Sequence, residues 1–140
     1  MHGESAAITL WSSIPDVNAL MAILFRTDAA PLGKTVVCTV KQWSKHVVVH
    51  HPILIGHEAD VEDAVHDPDI ITRDTGHANR RGFYKLNVNL DPLTPHPKVV
   101  VEFPLNLKVM VEFPLIGRAE VVTAYETNRV KAGEVRVWQR

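Results

Sequence analysis

A single cysteine in 140 residues, Cys38, excludes an intrachain disulfide and leaves no argument for an oxidising compartment. Long apolar runs are missing as well. The longest, Val17 to Phe25, is interrupted by Asn18, is too short to span a bilayer and has no basic leader before it. Neither charge sign dominates: 15 Lys and Arg stand against 16 Asp and Glu, for a net charge of −1. Nucleic-acid binding would therefore have to come from local patches, not from a global field. The zinc signatures His-Glu-x-x-His and paired cysteines are also absent. Together these absences point to a cytoplasmic protein with no membrane segment. What is present, 46% hydrophobic and 22% charged residues, is the profile of one globular domain large enough to bury a core without staples.

The first forty residues form a small preamble of strand, helix and strand. Ala6 to Trp11 is apolar and β-compatible, and Ser12-Ser13 followed by Pro15 signals a helix start. Val17, Leu20, Met21 and Leu24 then recur at helical spacing, which predicts a helix over Asp16 to Arg26. Thr35 to Val40 is strand-like, with Cys38 as core filling. From Lys41 onward, Trp43 and Val47 make an apolar stripe and His46 and His50 an imidazole stripe, the latter broken at His51-Pro52. Gly56 to Asp67 reads as a second helix with an acidic, solvated face.

Asp69 to Asp74 and Gly82 to Leu90 alternate as the two arms of a hairpin. Its tip and flanks carry Arg73, Arg80, Arg81 and Lys85 with Phe83 and Tyr84 interleaved, equipment for gripping phosphates and stacking bases. A plainly solvated hairpin tip accounts for the same residues. Lys98 to Leu105 is repeated almost unchanged as Lys108 to Leu115, each copy a strand closed by Pro104 or Pro114. Gly117 to Thr127 is the most regular strand, with Ala119, Val121, Thr123 and Tyr125 on one side, so that side ends in two hydroxyls. Glu134 to Trp138 adds a last short strand. The expected fold is α+β, with two or three helices packed on one face of a four- to five-stranded antiparallel sheet.

Trp43-Ser-Lys-His46-Val, His51-Pro52, Asp67-Pro68-Asp69-Ile70, Tyr84-Lys85, the Val-rich strand and Val121-Val-Thr123-Ala-Tyr125 occur in an order that resembles the phage and toxin nuclease-like families. These are the barnase, EndoU, colicin and RelE-like ribonucleases. The resemblance covers Gln42 to Trp138 and makes residues 41–138 the nuclease-like core. It implies metal-independent RNA cleavage, without cofactor, by attack of the ribose 2′-hydroxyl on the adjacent phosphate. That chemistry needs a base, an acid and donors for the developing charge. His46 or His51 would move protons, and Arg81 with Thr123 and Tyr125 would complete the catalytic set. Arg73, Arg80, Tyr84 and Lys85 would bind RNA, and an antitoxin or immunity protein is left open as a further partner.

Two other classes fit the same residues. His46, His50 and His57 could chelate a metal, without the usual supporting motif. A nuclease-like fold could also serve as a non-catalytic RNA- or protein-binding module.

Overall fold

The computed structural model describes residues 22–104 and 118–140. Strand β1 (Ile23–Ala29) turns inward Phe25, Thr27 and Ala29, and alternation alone accounts for that burial. A 3₁₀ turn, Ala30–Leu32, follows. It closes at Gly33, whose left-handed φ of 62° suits glycine and whose N–H donates to the Ala29 carbonyl. Strand β2 (Lys34–Thr39) returns antiparallel to β1.

Thr39 caps the next element, its Oγ1 accepting from the Gln42 N–H at 3.0 Å. Residues 40–50 form one helical stretch, α1, made of α-helix Val40–Gln42, a π turn Trp43–Val47 and α-helix Val48–His50. Trp43 and Val47 are buried along it. It stops at His51, because the residue before a proline is disfavoured in the helical region. Helix α2 (Glu58–His66) buries Val61, Ala64 and Val65 and keeps its acidic residues on the outer side. No helix among the described residues is long and apolar enough to cross a membrane.

Five more strands follow: β3 (Ile70–Arg73), β4 (Arg80–Tyr84), β5 (His96–Glu102), β6 (Ala119–Thr127) and β7 (Val135–Gln139). They join β1 and β2 in a seven-stranded sheet of order β1-β2-β6-β5-β4-β3-β7. Every pair is antiparallel except β2 with β6, which is parallel and joined only at Val36–Ala119 and Val37–Glu120. Beyond Glu120 the outer edge of β6 is free of β2, and α1 lies there, the Gln42 side chain donating to the Val122 carbonyl.

Directly opposed residues share a face, which sorts the side chains. Ile71, Phe83, Val99 and Ala124 lie in one row and join Val61, Ala64 and Val65 in the core. A bulge at Val100/Val101 shifts the β6 register, so Val121 and Ala119 also turn to this core face. Each fully buried Val or Phe there contributes roughly 1.5–3 kcal/mol. The opposite face carries Thr72, Gly82, Tyr84, Lys98, Thr123 and Tyr125.

This architecture corrects the α+β expectation of helices on a four- to five-stranded antiparallel sheet. The sheet is mixed, has seven strands and outweighs the helical segments. The described part of the preamble is not set apart, since β1 pairs with β2 and β2 pairs with β6 within the main sheet. Ile23 to Arg26, expected as the end of a helix, is strand, because pairing with β2 outweighs the helical spacing of Leu20 and Leu24. The strand expected over Gly82 to Leu90 ends at Tyr84. Asn87 and Asn89 sit at φ 61° and 65°, the left-handed region that asparagine tolerates and a strand does not. The expected strand Ala6 to Trp11, most of the helix over Asp16 to Arg26, and the second repeat copy at Lys108 to Leu115 lie outside the described residues.

Candidate functional site

Two arrangements flank β6, one at its open edge, where Glu126 lies on the face of Ala124 and Tyr125 on the opposite one, and a second on the polar face. The first is at the open edge of β6. His51, held at the C-terminal end of α1 by its N–H bond to the Val47 carbonyl, brings its ring to 5.5 Å from that of Tyr125. Its Nδ1 stands 3.8 Å from Glu126 Oε2, with the two side chains 30% and 25% exposed. Among the described residues, Glu126 Oε2 is the buried side-chain oxygen left without a hydrogen-bond partner. An unpartnered buried acceptor costs about 1–3 kcal/mol, so its persistence calls for an explanation. Nδ1 faces the carboxylate, which leaves Nε2 as the nitrogen available to a substrate proton. Thr123 lies on the same face as Tyr125, one strand period away.

The second arrangement is a buried polar cluster one strand further in. Lys98 Nζ bonds Glu134 Oε2 at 2.7 Å, and these side chains are only 3% and 7% exposed. Glu134 Oε1 accepts from the Tyr84 hydroxyl at 2.5 Å and from Thr72 Oγ1 at 3.0 Å. Tyr84 in turn accepts the Lys131 N–H at 3.2 Å. The Lys98 ammonium lies 5.1 Å from the Tyr84 ring centroid and 5.3 Å from that of Tyr125, which links the cluster to the edge site. Burial would push the Lys98 pKa down, but bonds to Glu134 and the two tyrosines outweigh it and hold the ammonium above the ordinary lysine range. Burial likewise works against the Glu134 carboxylate, and the Lys98, Tyr84 and Thr72 donors still hold it below the usual carboxyl range.

The predicted residues divide sharply. His51 meets Tyr125 at the β6 edge, and Thr123 lies on the same strand face as Tyr125. Tyr84 is nearby but fully buried, with its hydroxyl committed to Glu134, so it offers no ring for a base. Arg81 stands opposite Arg73 on the core-facing side of the sheet, away from Thr123. It donates to the Ala78 and Arg80 carbonyls at 2.8 Å and 3.0 Å. Its pKa is lowered by burial and by the Arg73 charge. Arg80 is tied to Glu102 at 3.0 Å, and Lys85 to Asp67 and Asp63 at 3.0 Å and 3.4 Å. Of the expected phosphate grip, Arg80 and Lys85 are therefore spent on protein carboxylates and Arg81 on backbone carbonyls. His46 packs against His50, ring centroids 4.7 Å apart, on the outside of α1.

His57 pairs with Asp60 at 2.7 Å, and among the described residues no group of three or more His, Cys, Asp or Glu is placed to hold a metal ion. Cys38 is fully buried, and burial followed by the Glu120 charge pushes its thiol up to about 12, so it is no nucleophile. Sequence reasoning missed Glu126, Lys98, Glu134 and Thr72. Lys98 and Glu134 carried no sequence signal, since the pairing of Lys98 with Tyr125 and the approach of the Glu134 loop are set by strand partners distant in the chain. No protein-family model matches the chain, and neither curated proteins nor solved structures yield a match.

Proposed function

We propose that the protein is a metal-independent endoribonuclease of toxin- or phage-related type, acting in the cytoplasm through the residues at the open edge of β6. The observation that carries this reading is the His51–Glu126 pair beside Tyr125, with Glu126 Oε2 buried and unpartnered. The Glu126 carboxylate faces Nδ1 from 3.8 Å, beyond hydrogen-bond distance, and leaves Nε2 turned to the substrate. His51 Nε2 then takes the proton of the ribose 2′-hydroxyl as the 2′-oxygen bonds to phosphorus. The bond from phosphorus to the 5′-oxygen breaks, and the leaving oxygen receives a proton from the Tyr125 phenol. Thr123 donates to a phosphoryl oxygen as charge develops there. The products are a 2′,3′-cyclic phosphate and a 5′-hydroxyl end.

The test is cleavage of a mixed RNA pool in excess chelator, with end-group analysis. His51→Ala should lower turnover by roughly a hundredfold or more while RNA affinity changes little, the scale of lost acid–base catalysis. Arg81→Ala, on the other face, should leave turnover within a few-fold. RNA left uncut by the wild-type protein would sink this reading. A second reading, a non-catalytic RNA- or protein-binding module, is favoured by one fact: Lys98, the cation against the Tyr125 ring, is already neutralised by Glu134. Binding without cleavage, unaffected by His51→Ala, is its signature.

A further inference from the structure

Glu134 belongs to the loop before β7, not to the sheet face it contacts. Its carboxylate accepts from three donors that the sheet presents together: Thr72 Oγ1 at 3.0 Å, the Tyr84 hydroxyl at 2.5 Å and Lys98 Nζ at 2.7 Å. Those donors come from three adjacent strands, β3, β4 and β5. The space they converge on is built around Gly82, where an added Cβ would stand 2.7 Å from Thr72 Oγ1 and 3.0 Å from Lys98 Cε. Glycine weakens a strand interior and is kept where something must approach closely. A buried ion pair is weak evidence for stability, because well-packed apolar residues often do as well or better. One ammonium and two hydroxyls aimed at a single anionic group are, chemically, a phosphate site.

We propose that Thr72, Tyr84 and Lys98 form a phosphodiester-binding site that Glu134 occupies and keeps closed. When RNA enters, a backbone phosphate takes the place of the carboxylate, and the turn from Asn128 to Glu134, tied to the sheet through the Lys131 N–H bond to Tyr84, swings outward. This rests on the ribonuclease reading for the identity of the occupant. The site borders the edge residues because Lys98 reaches the Tyr125 ring. Lys98 would then supply the cation that Arg81, Arg80 and Lys85 do not.

The experiment compares the wild-type protein, Glu134→Ala and the Lys98→Met/Glu134→Ala double variant. Inorganic phosphate is titrated against chloride at equal ionic strength, with the thermal midpoint as readout. Phosphate at ten times its Kd should raise the Glu134→Ala midpoint by about 5 °C. It should leave the double variant, which has neither charge, where chloride leaves it. Should Glu134→Ala be unfolded in chloride, recovery of the folded state in phosphate that exceeds any change in the double variant is the equivalent positive result. A phosphate response that is absent from Glu134→Ala, or equal in the double variant, overturns the site. The second arm uses a 2′-deoxy oligonucleotide without terminal phosphates, which cannot be cut by 2′-hydroxyl attack. Glu134→Ala should bind it at least about tenfold more tightly than the wild-type protein at the same salt. A phosphate response without that tightening overturns the phosphodiester as occupant. Neither arm depends on cleavage, so an inactive protein that passes both refutes only the ribonuclease reading.

Discussion

Lys98→Met is the substitution whose consequence can be worked furthest. It replaces the buried ammonium by a group of similar length and leaves the Glu134 carboxylate with the Tyr84 and Thr72 hydroxyls alone. At 2.7 Å the lost attraction is about 6 kcal/mol for an effective dielectric of roughly 20. Part of this is offset because Lys98 no longer has to be desolvated. Removing one partner of a buried pair typically costs about 3–5 kcal/mol. At this chain length that corresponds to a Tm lower by roughly 10–20 °C near pH 7.

The pH dependence supplies the sharper check. Glu134 has a depressed folded pKa, so its contribution is complete above the unfolded carboxyl value of about 4.3 and is lost as pH falls through the lower folded value. Lys98 has a raised folded pKa, so its contribution is complete below the unfolded lysine value of about 10.4 and is lost only as pH climbs through the higher folded value. In Lys98→Met nothing positive holds the Glu134 proton off, and burial favours the neutral acid. The gap between wild type and variant should therefore begin to narrow above the ordinary carboxyl range, as pH falls from 7 through the raised folded value of the variant, and go on narrowing through the depressed wild-type value. Urea denaturation at pH 7 and at stepped acidic pH measures it. A deficit under about 1 kcal/mol at pH 7, or one that does not change with pH, would refute the reasoning.

Gly82→Ala should cost about 1–3 kcal/mol, because its Cβ would press on Thr72 Oγ1 and Lys98 Cε; equilibrium unfolding reads the loss, and a neutral result would show that the cluster yields. Thr123→Val should lower RNA turnover by at least about tenfold with the midpoint of unfolding unchanged, so loss of stability alone would make this hydroxyl structural. Glu126→Gln should reduce turnover less than His51→Ala does, since the amide keeps the shape and loses the charge behind the imidazole. Cys38 should resist a thiol reagent in the native protein and react only as the chain unfolds, given its burial and raised pKa; fast native labelling would contradict both.

Local periodicity made several elements legible. The helix expected over Gly56 to Asp67 is present as Glu58–His66, because its apolar residues and the stop at Asp67-Pro68 act within a few turns. Trp43 and Val47 were readable as a buried stripe, and Thr123 with Tyr125 as neighbours on one face of a strand, since both follow from fixed side-chain geometry. What local pattern could not specify was which strands become neighbours. The parallel contact of β2 with β6 joins residues more than eighty positions apart, and it drew the described part of the presumed preamble into the sheet. The same long-range pairing put Arg81 on the core face and Lys98 on the other, and it brought Glu134 onto Lys98 from a loop with no pattern of its own. Composition and spacing along the chain decided which side chains share a strand face or a helix stripe. Only the closing of distant strands, with its bulge and its one parallel pair, decided which charges met a partner and which carboxylate was left facing His51.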